Sequence, residues 1–236
     1  MKYFEFFGMP GSGKTYLTES LSKNTDKISK NVFFIYFKKR TFFSLLKKIT
    51  FIIVSFPIII FENNFYEIIS FFTFKYKPVN SNFISIRTLS ILFNSLFLLS
   101  LVRFAKLLRV DVLVVDQGFF QLLWSLLYEI NYKNKVKYDF ILNIWDQIMS
   151  EINVEHNILN CNFSNKLIRK RIRNRIGSSI IEKNSKPINF SKINFIFEYI
   201  LNSFSYDKKN KGNYIIKTIN SEYSKILDLI MLIEGG

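Results

Sequence analysis

Gly8-Met9-Pro10-Gly11-Ser12-Gly13-Lys14-Thr15 fits the pattern G-x-x-x-x-G-K-T, and the reading of the chain turns on it. The run Tyr3-Phe4-Glu5-Phe6-Phe7 stands directly before it, and a helical pattern with Leu17 and Leu21 on one face follows. Strand, glycine loop and helix, in that order, is the context in which this pattern forms a phosphate-binding loop. Glycines let the backbone curl until successive N–H groups point inward at phosphate oxygens. A helix beginning near Gly13 adds roughly half a positive charge at its N-terminus. Lys14 brings a full charge for the outer phosphates, and Thr15 a hydroxyl for Mg²⁺. Gly8, Pro10, Gly11, Ser12, Gly13, Lys14 and Thr15 are therefore the expected binding residues for a nucleoside triphosphate.

A chain of 236 residues suits one α/β domain spanning 1–236, with room for an insertion. The single Cys161 excludes an internal disulfide and fits a reducing cytoplasm. Met1-Lys2-Tyr3 runs straight into the first strand, so no signal peptide is expected. Hydrophobic residues make up 49% of the chain, and the net charge is +15. That charge favours anionic partners such as nucleotides, nucleic acid or acidic lipid head groups, although a coding bias toward Lys, Asn, Ile and Phe produces the same composition. Two apolar runs, 49–61 and 89–102, fall short of the ~18–20 residues that a membrane span requires. They read as core helices. A peripheral membrane contact and a homodimer interface are the other uses for such surface.

The strands are expected at 3–7, 32–37, 111–116, 154–161 and 214–219. The second, Val32 to Phe37, is continuously apolar, as in a parallel strand covered on both faces, and ends in Lys38-Lys39-Arg40. Residues 41–108 read as a helical insert between strands two and three. Its last helix, starting near Phe83, carries one polar stripe, Arg87, Ser90 and Asn94. Arg87 either meets a substrate anion in the crevice or lies at a solvent edge.

Asp111-Val112-Leu113-Val114-Val115-Asp116-Gln117-Gly118 is an apolar strand that ends on a carboxylate. Beside a phosphate loop, Asp116 is in reach of Mg²⁺ or its waters, or of the proton of an attacking hydroxyl. Helices are expected over 119–130 and 138–152, with Trp124 and Trp145 as core aromatics. The lone His156 has no ligand-forming neighbours and is read as structural. Lys166 to Gly177 carries four arginines, two lysines and no acid. On a helix Arg171 and Arg175 share one face, as do Arg169 and Arg173. Polyphosphate relieves such self-repulsion, and arginine's forked, permanent charge suits a transferring phosphoryl group. A nonspecific RNA- or lipid-binding helix is the other reading. About 164–190 is thus an expected lid region.

This order of parts resembles the thymidylate kinase and nucleoside monophosphate kinase-like group of P-loop proteins. G-M-P-G-S-G-K-T is similar to their G-x-P-G-x-G-K-T loop; Asp116-Gln117-Gly118 stands where they carry an Asp-Arg pair; Arg171 to Arg175 resembles their lid arginines. The resemblance covers both ends of the chain and the Asp116 region, and covers 41–108 poorly. It implies an α/β three-layer P-loop NTPase sandwich with a mostly parallel five-stranded sheet. It also implies ATP and Mg²⁺, with Lys14 and Thr15 on the donor phosphates. Asp116 would serve the metal or act as base, and Arg171 and Arg175 would clamp the transferred group. Gln117 takes the place of an arginine that would hold a substrate phosphate. A neutral amide cannot clamp one, so an alcohol acceptor on a sugar, nucleoside or lipid precursor stands beside a nucleoside monophosphate.

The expected function is an ATP-dependent small-molecule kinase with a nucleotide, nucleoside or sugar-type acceptor. The alternative is a nucleotide-dependent regulatory ATPase or switch at a membrane surface. A GTPase is disfavoured because Asn165-Lys166-Leu167-Ile168 has Ile168 where a guanine-reading aspartate is needed. Nucleic-acid binding ranks last, since no reading module is present.

Overall fold

The computed structural model describes residues 1–24, 26, 28–35, 49, 50, 53, 86–129, 135–152, 154–161, 163–173, 190–206, 214–219, 230, 231, 233 and 234. Within these, five strands form one sheet: β1 (Lys2–Phe7), β2 (Val32–Ile35), β3 (Val112–Val115), β4 (Glu155–Cys161) and β5 (Tyr214–Ile219). The helices are α1 (Lys14–Ser22), α2 (Ile86–Leu107), α3 (Phe119–Glu129), α4 (Lys135–Ile152), α5 (Asn165–Arg173) and α6 (Phe190–Tyr206).

The strand order is β2-β3-β1-β4-β5, and all four pairings are parallel. From β1 the chain travels through α1 to one edge of the sheet. From β3 it travels the other way, through α3 and α4 to β4 and then through α5 and α6 to β5. Right-handed crossovers running in opposite directions put their helices on opposite faces, giving three layers. Burial agrees with this. Tyr3, Phe4, Glu5, Phe6 and Phe7 are all buried, so β1 is covered on both sides. On one side Tyr3 and Phe7 meet Phe119, Phe120 and Phe197 from α3 and α6.

The sheet edges depart from expectation. The apolar run of β2 predicted a strand covered on both faces, yet Phe33 is 46% exposed. Position in the sheet decides this: β2 is an edge strand, beyond the reach of the covering helices on one face. Ile215 on β5, the opposite edge, is likewise exposed. Tyr36 to Arg40 and most of the insert lie outside the described residues.

Helix α2 is apolar nearly all round, and three of its short polar side chains bond within the helix. Asn94 donates to the Ser90 carbonyl at 2.8 Å, Ser95 to that of Ile91 at 2.9 Å and Ser100 to that of Leu96 at 2.8 Å. Such i to i−4 bonds let short polar side chains sit in a buried helix. Trp124 and Trp145 are both buried in the core, as expected. His156 is buried among the rings of Tyr3, Phe119 and Tyr214, and neither of its nitrogens has a hydrogen-bond partner among the described residues. Burial, aided by the charge of Lys106, lowers its pKa from 6.5 to about 3. It is a neutral core ring. No described helix is long and apolar enough to cross a membrane.

Candidate active site

Parallel strands bring their carboxyl ends to one edge, and ligands bind in the crevice outside that edge. Three chain segments meet there. Glu5 of β1 is level with Val115 of β3 and with Ile158 of β4. The loop after β1 and the carboxylate after β3 must therefore be neighbours.

The loop Gly8–Thr15 turns on a bond from the Ser12 N–H to the Met9 carbonyl at 3.1 Å. Gly11 and Gly13 have φ of 88° and 83°, the left-handed region that side chains resist. Gly13 then becomes the N-cap of α1, and the Leu17 N–H returns to the Gly13 carbonyl at 3.0 Å. Lys14 folds back onto the loop. Its Nζ donates to the carbonyls of Gly8 at 2.5 Å and Met9 at 3.0 Å, with Ser12 Oγ at 3.5 Å. These oxygens solvate a buried ammonium that polyphosphate oxygens would otherwise hold.

Thr15 Oγ1 donates to Asp116 Oδ2 at 3.1 Å, across 101 residues of sequence. Asp116 is fully buried, and its N–H is fixed by the Ile35 carbonyl at 3.2 Å. A hydroxyl and a carboxylate side by side are the hard oxygen donors that Mg²⁺ prefers, so the pair fits this metal. Among the described residues no cluster of three or more His, Cys, Asp or Glu stands ready to hold a metal by itself.

Arg171 comes to the same loop from α5. Ser164 starts that helix, its Oγ accepting the Leu167 N–H at 3.4 Å and its carbonyl the Ile168 N–H at 3.0 Å. The Arg171 guanidinium lies 5.3 Å from the centroid of the Phe163 ring and donates through Nη1 to the Gly11 carbonyl at 3.4 Å. A Cβ placed on Gly13 would sit 3.4 Å from the same nitrogen. One predicted lid arginine thus already stands over the phosphate loop. Arg175 lies outside the described residues, as do the side chains of Arg87, Arg169 and Arg173. Gln117 is exposed at the crevice edge, next to Asp116.

Tyr3 to Phe7 reads as an apolar run, yet Glu5 stands in its middle. Glu5 is fully buried, and its Oε1 accepts the Phe120 N–H at 2.9 Å. Burial pushes its pKa from 4.5 to about 8, against the pull of N–H groups at the start of α3 and of the Tyr3 hydroxyl. Gly118 fits above it only because it lacks a side chain. A Cβ there would come within 2.3 Å of both Glu5 Oε2 and the Tyr3 hydroxyl. Glu5 therefore caps α3 from a neighbouring strand and seats the Asp116-Gln117-Gly118 turn. A lone acid inside an aromatic strand was the signal available.

Glycine loop, hydroxyl–carboxylate pair, basic helix and parallel sheet together define an α/β P-loop NTPase fold. By sequence the chain matches no family model and no curated protein. Its fold is similar to that of solved deoxyadenosine kinase structures from M. mycoides. With dATP bound, the TM-score is 0.50 at 14% identity, covering 99% of this chain and 100% of that one. With dCTP bound it is 0.48 at 14% identity, covering 98% and 97%. With dCMP and dCDP bound it is 0.48 at 13% identity, covering 99% and 97%.

Proposed function

We propose that this chain is an ATP-dependent kinase that transfers the γ-phosphoryl group to a nucleotide, nucleoside or sugar-type metabolite. The observation that carries the proposal is the contact of Thr15 with Asp116, with Arg171 standing over the same loop. Those groups come from three distant segments and converge where a triphosphate would lie. The resemblance to thymidylate kinase-like proteins supports the reading, as does a fold shared with a protein described as a deoxyadenosine kinase.

In this reading the loop N–H groups hold the donor phosphates, and Lys14 leaves the Gly8 and Met9 carbonyls to reach the outer ones. Thr15 and Asp116 would hold Mg²⁺, which, when bound, offsets charge on the phosphates. Arg171 and Arg175 would neutralise charge spreading over the transferred group. The bond from the γ-phosphorus to the bridging oxygen of ADP breaks as the bond to the acceptor oxygen forms. Where the acceptor is an alcohol its hydroxyl proton must pass to a base, and Asp116 would either take that proton or serve the metal. Most of the rate then comes from positioning and charge compensation.

The test is ADP release from Mg-ATP over a panel of nucleosides, nucleoside monophosphates and free sugars. The kinase reading expects release that depends on one class of acceptor. Release at one rate with and without every acceptor would favour the regulatory ATPase instead.

A further inference from the structure

Glu5 is a buried acid that no step of the proposed reaction uses. Its neighbours on the same face of β1, Tyr3 and Phe7, pack on Phe119 and Phe120 of α3. An apolar side chain would fill that place at lower cost, since a buried acid must find hydrogen bonds to offset its lost water. What an acid adds here is an acceptor. The first N–H groups of a helix have no partner within it, and Glu5 Oε1 takes that of Phe120 at 2.9 Å. From this placement we infer that Glu5 is a positioning residue for phosphoryl transfer: it fixes the start of α3 and, through Gly118, sets where the Asp116 carboxylate stands. The inference rests on the kinase reading and deepens it.

Gln117 and Gly118 alone separate Asp116 from α3, and this short link is held at both ends. At its near end the Asp116 N–H is on the Ile35 carbonyl at 3.2 Å, and the Asp116 carboxylate accepts from Thr15 at 3.1 Å. At its far end the Gly118 carbonyl accepts the Leu122 N–H at 3.2 Å, which ties the link into the first turn of the helix. That turn is the one Glu5 holds. Pairing of β1 with β3 keeps Glu5 level with Val115, the residue before Asp116. The acid thus lies beneath the link, and Gly118 rests against it so closely that a Cβ would overlap Glu5 Oε2 and the Tyr3 hydroxyl.

The two ends together aim the carboxylate at Thr15. Loosening the far end leaves the phosphate loop intact, because Lys14 and the loop backbone make their bonds within the loop. The loss should therefore fall on the transfer step and spare the binding of ATP. Misplacing a reacting group by about 1 Å can slow a reaction roughly 10²-fold.

The experiment compares wild type with Glu5→Gln, Glu5→Leu and Gly118→Ala. Glutamine keeps an acceptor for Phe120, and leucine removes it. Alanine at 118 pushes on the same contact from the other side. Steady-state ADP release is measured with Mg-ATP and the best acceptor from a panel of nucleosides, nucleoside monophosphates and free sugars. ATP affinity is titrated, and urea midpoints report folding. Glu5→Leu should lower kcat by roughly tenfold or more, with KM for ATP and titrated ATP affinity near wild type. Glu5→Gln should keep kcat near wild type. Gly118→Ala, assayed where urea shows it folded, should lose kcat as Glu5→Leu does. A merely structural Glu5 would lower the urea midpoint and leave the kcat of the folded protein unchanged. Wild-type kcat in folded Glu5→Leu, or a loss in Glu5→Gln as deep as in Glu5→Leu, would overturn the inference while the kinase reading stands. Should Glu5→Leu not fold, Gly118→Ala decides: wild-type kcat there overturns the inference as well. No acceptor-dependent release by wild type would overturn both.

Discussion

The two flanks of the phosphate loop are built in opposite ways. On the β3 flank the polar groups are closely held: Thr15 on the buried Asp116, the Asp116 N–H on Ile35, and buried Glu5 under Gly118. On the β4 flank the loop faces open space lined by amides, aromatic rings and one carboxylate. The difference separates two tasks. Managing phosphate charge demands fixed groups in a dry setting, where reorganisation costs are met by the fold. Admitting a ligand demands volume and a few hydrogen-bonding groups.

Breaking the charged flank should have the largest consequences. Lys14→Ala should abolish measurable turnover, as read in ADP release at saturating Mg-ATP. Asp116→Asn keeps the shape and still accepts from Thr15; it should lower kcat by roughly 10²–10³-fold while titrated ATP affinity holds. Arg171→Ala and Arg175→Ala should each slow transfer by about tenfold or more, and more than they weaken ATP binding. If neither arginine change alters the rate, α5 is no lid.

Smaller effects test how the flank is seated. Gly118→Ala drives a methyl into Glu5 and Tyr3 and should destabilise the fold by roughly 1–3 kcal/mol, seen as a lower urea midpoint at unchanged slope. The buried acid and the buried imidazole set opposing pH slopes. Folded Glu5 keeps its proton up to about 8, whereas the unfolded chain releases it near 4.5, so its contribution to stability is lost as pH rises across that window. Folded His156 stays neutral down to about 3, whereas the unfolded chain takes a proton near 6.5, so stability is lost as pH falls below 6.5. Between 4.5 and 6.5 the two oppose each other. Urea midpoints of Glu5→Gln should therefore lack the decline from pH 6.5 to 8 that wild type shows.

The charged flank was legible in the sequence because phosphate recognition is local. Eight consecutive residues shape the cradle, and Asp116 announces itself as an acid closing an apolar strand. Strands β2 and β3 were equally plain, since each is a short apolar run between breaks. Glu5 was missed because an aromatic window hides one acid, and its partner Phe120 lies 115 residues away. The exposed side of Phe33 could not be read, because edge position is a property of the whole sheet. The cavity beside the loop joins Met9, Asn160 and Glu198, which share no sequence spacing and meet only through topology. Arg87, read as meeting a substrate anion or lying at a solvent edge, has its side chain outside the described residues, while Asn94 of the same stripe turns back onto Ser90.

The central claim is that the loop and Asp116 carry phosphoryl transfer to a bound acceptor. The direct measurement is the fate of γ-labelled phosphate, followed for wild type and Asp116→Asn with and without acceptor. The account predicts label on the acceptor with wild type, and its loss by roughly 10²-fold or more in the variant, with ATP affinity preserved. Label appearing only as inorganic phosphate, at one rate whether or not an acceptor is present, would contradict it.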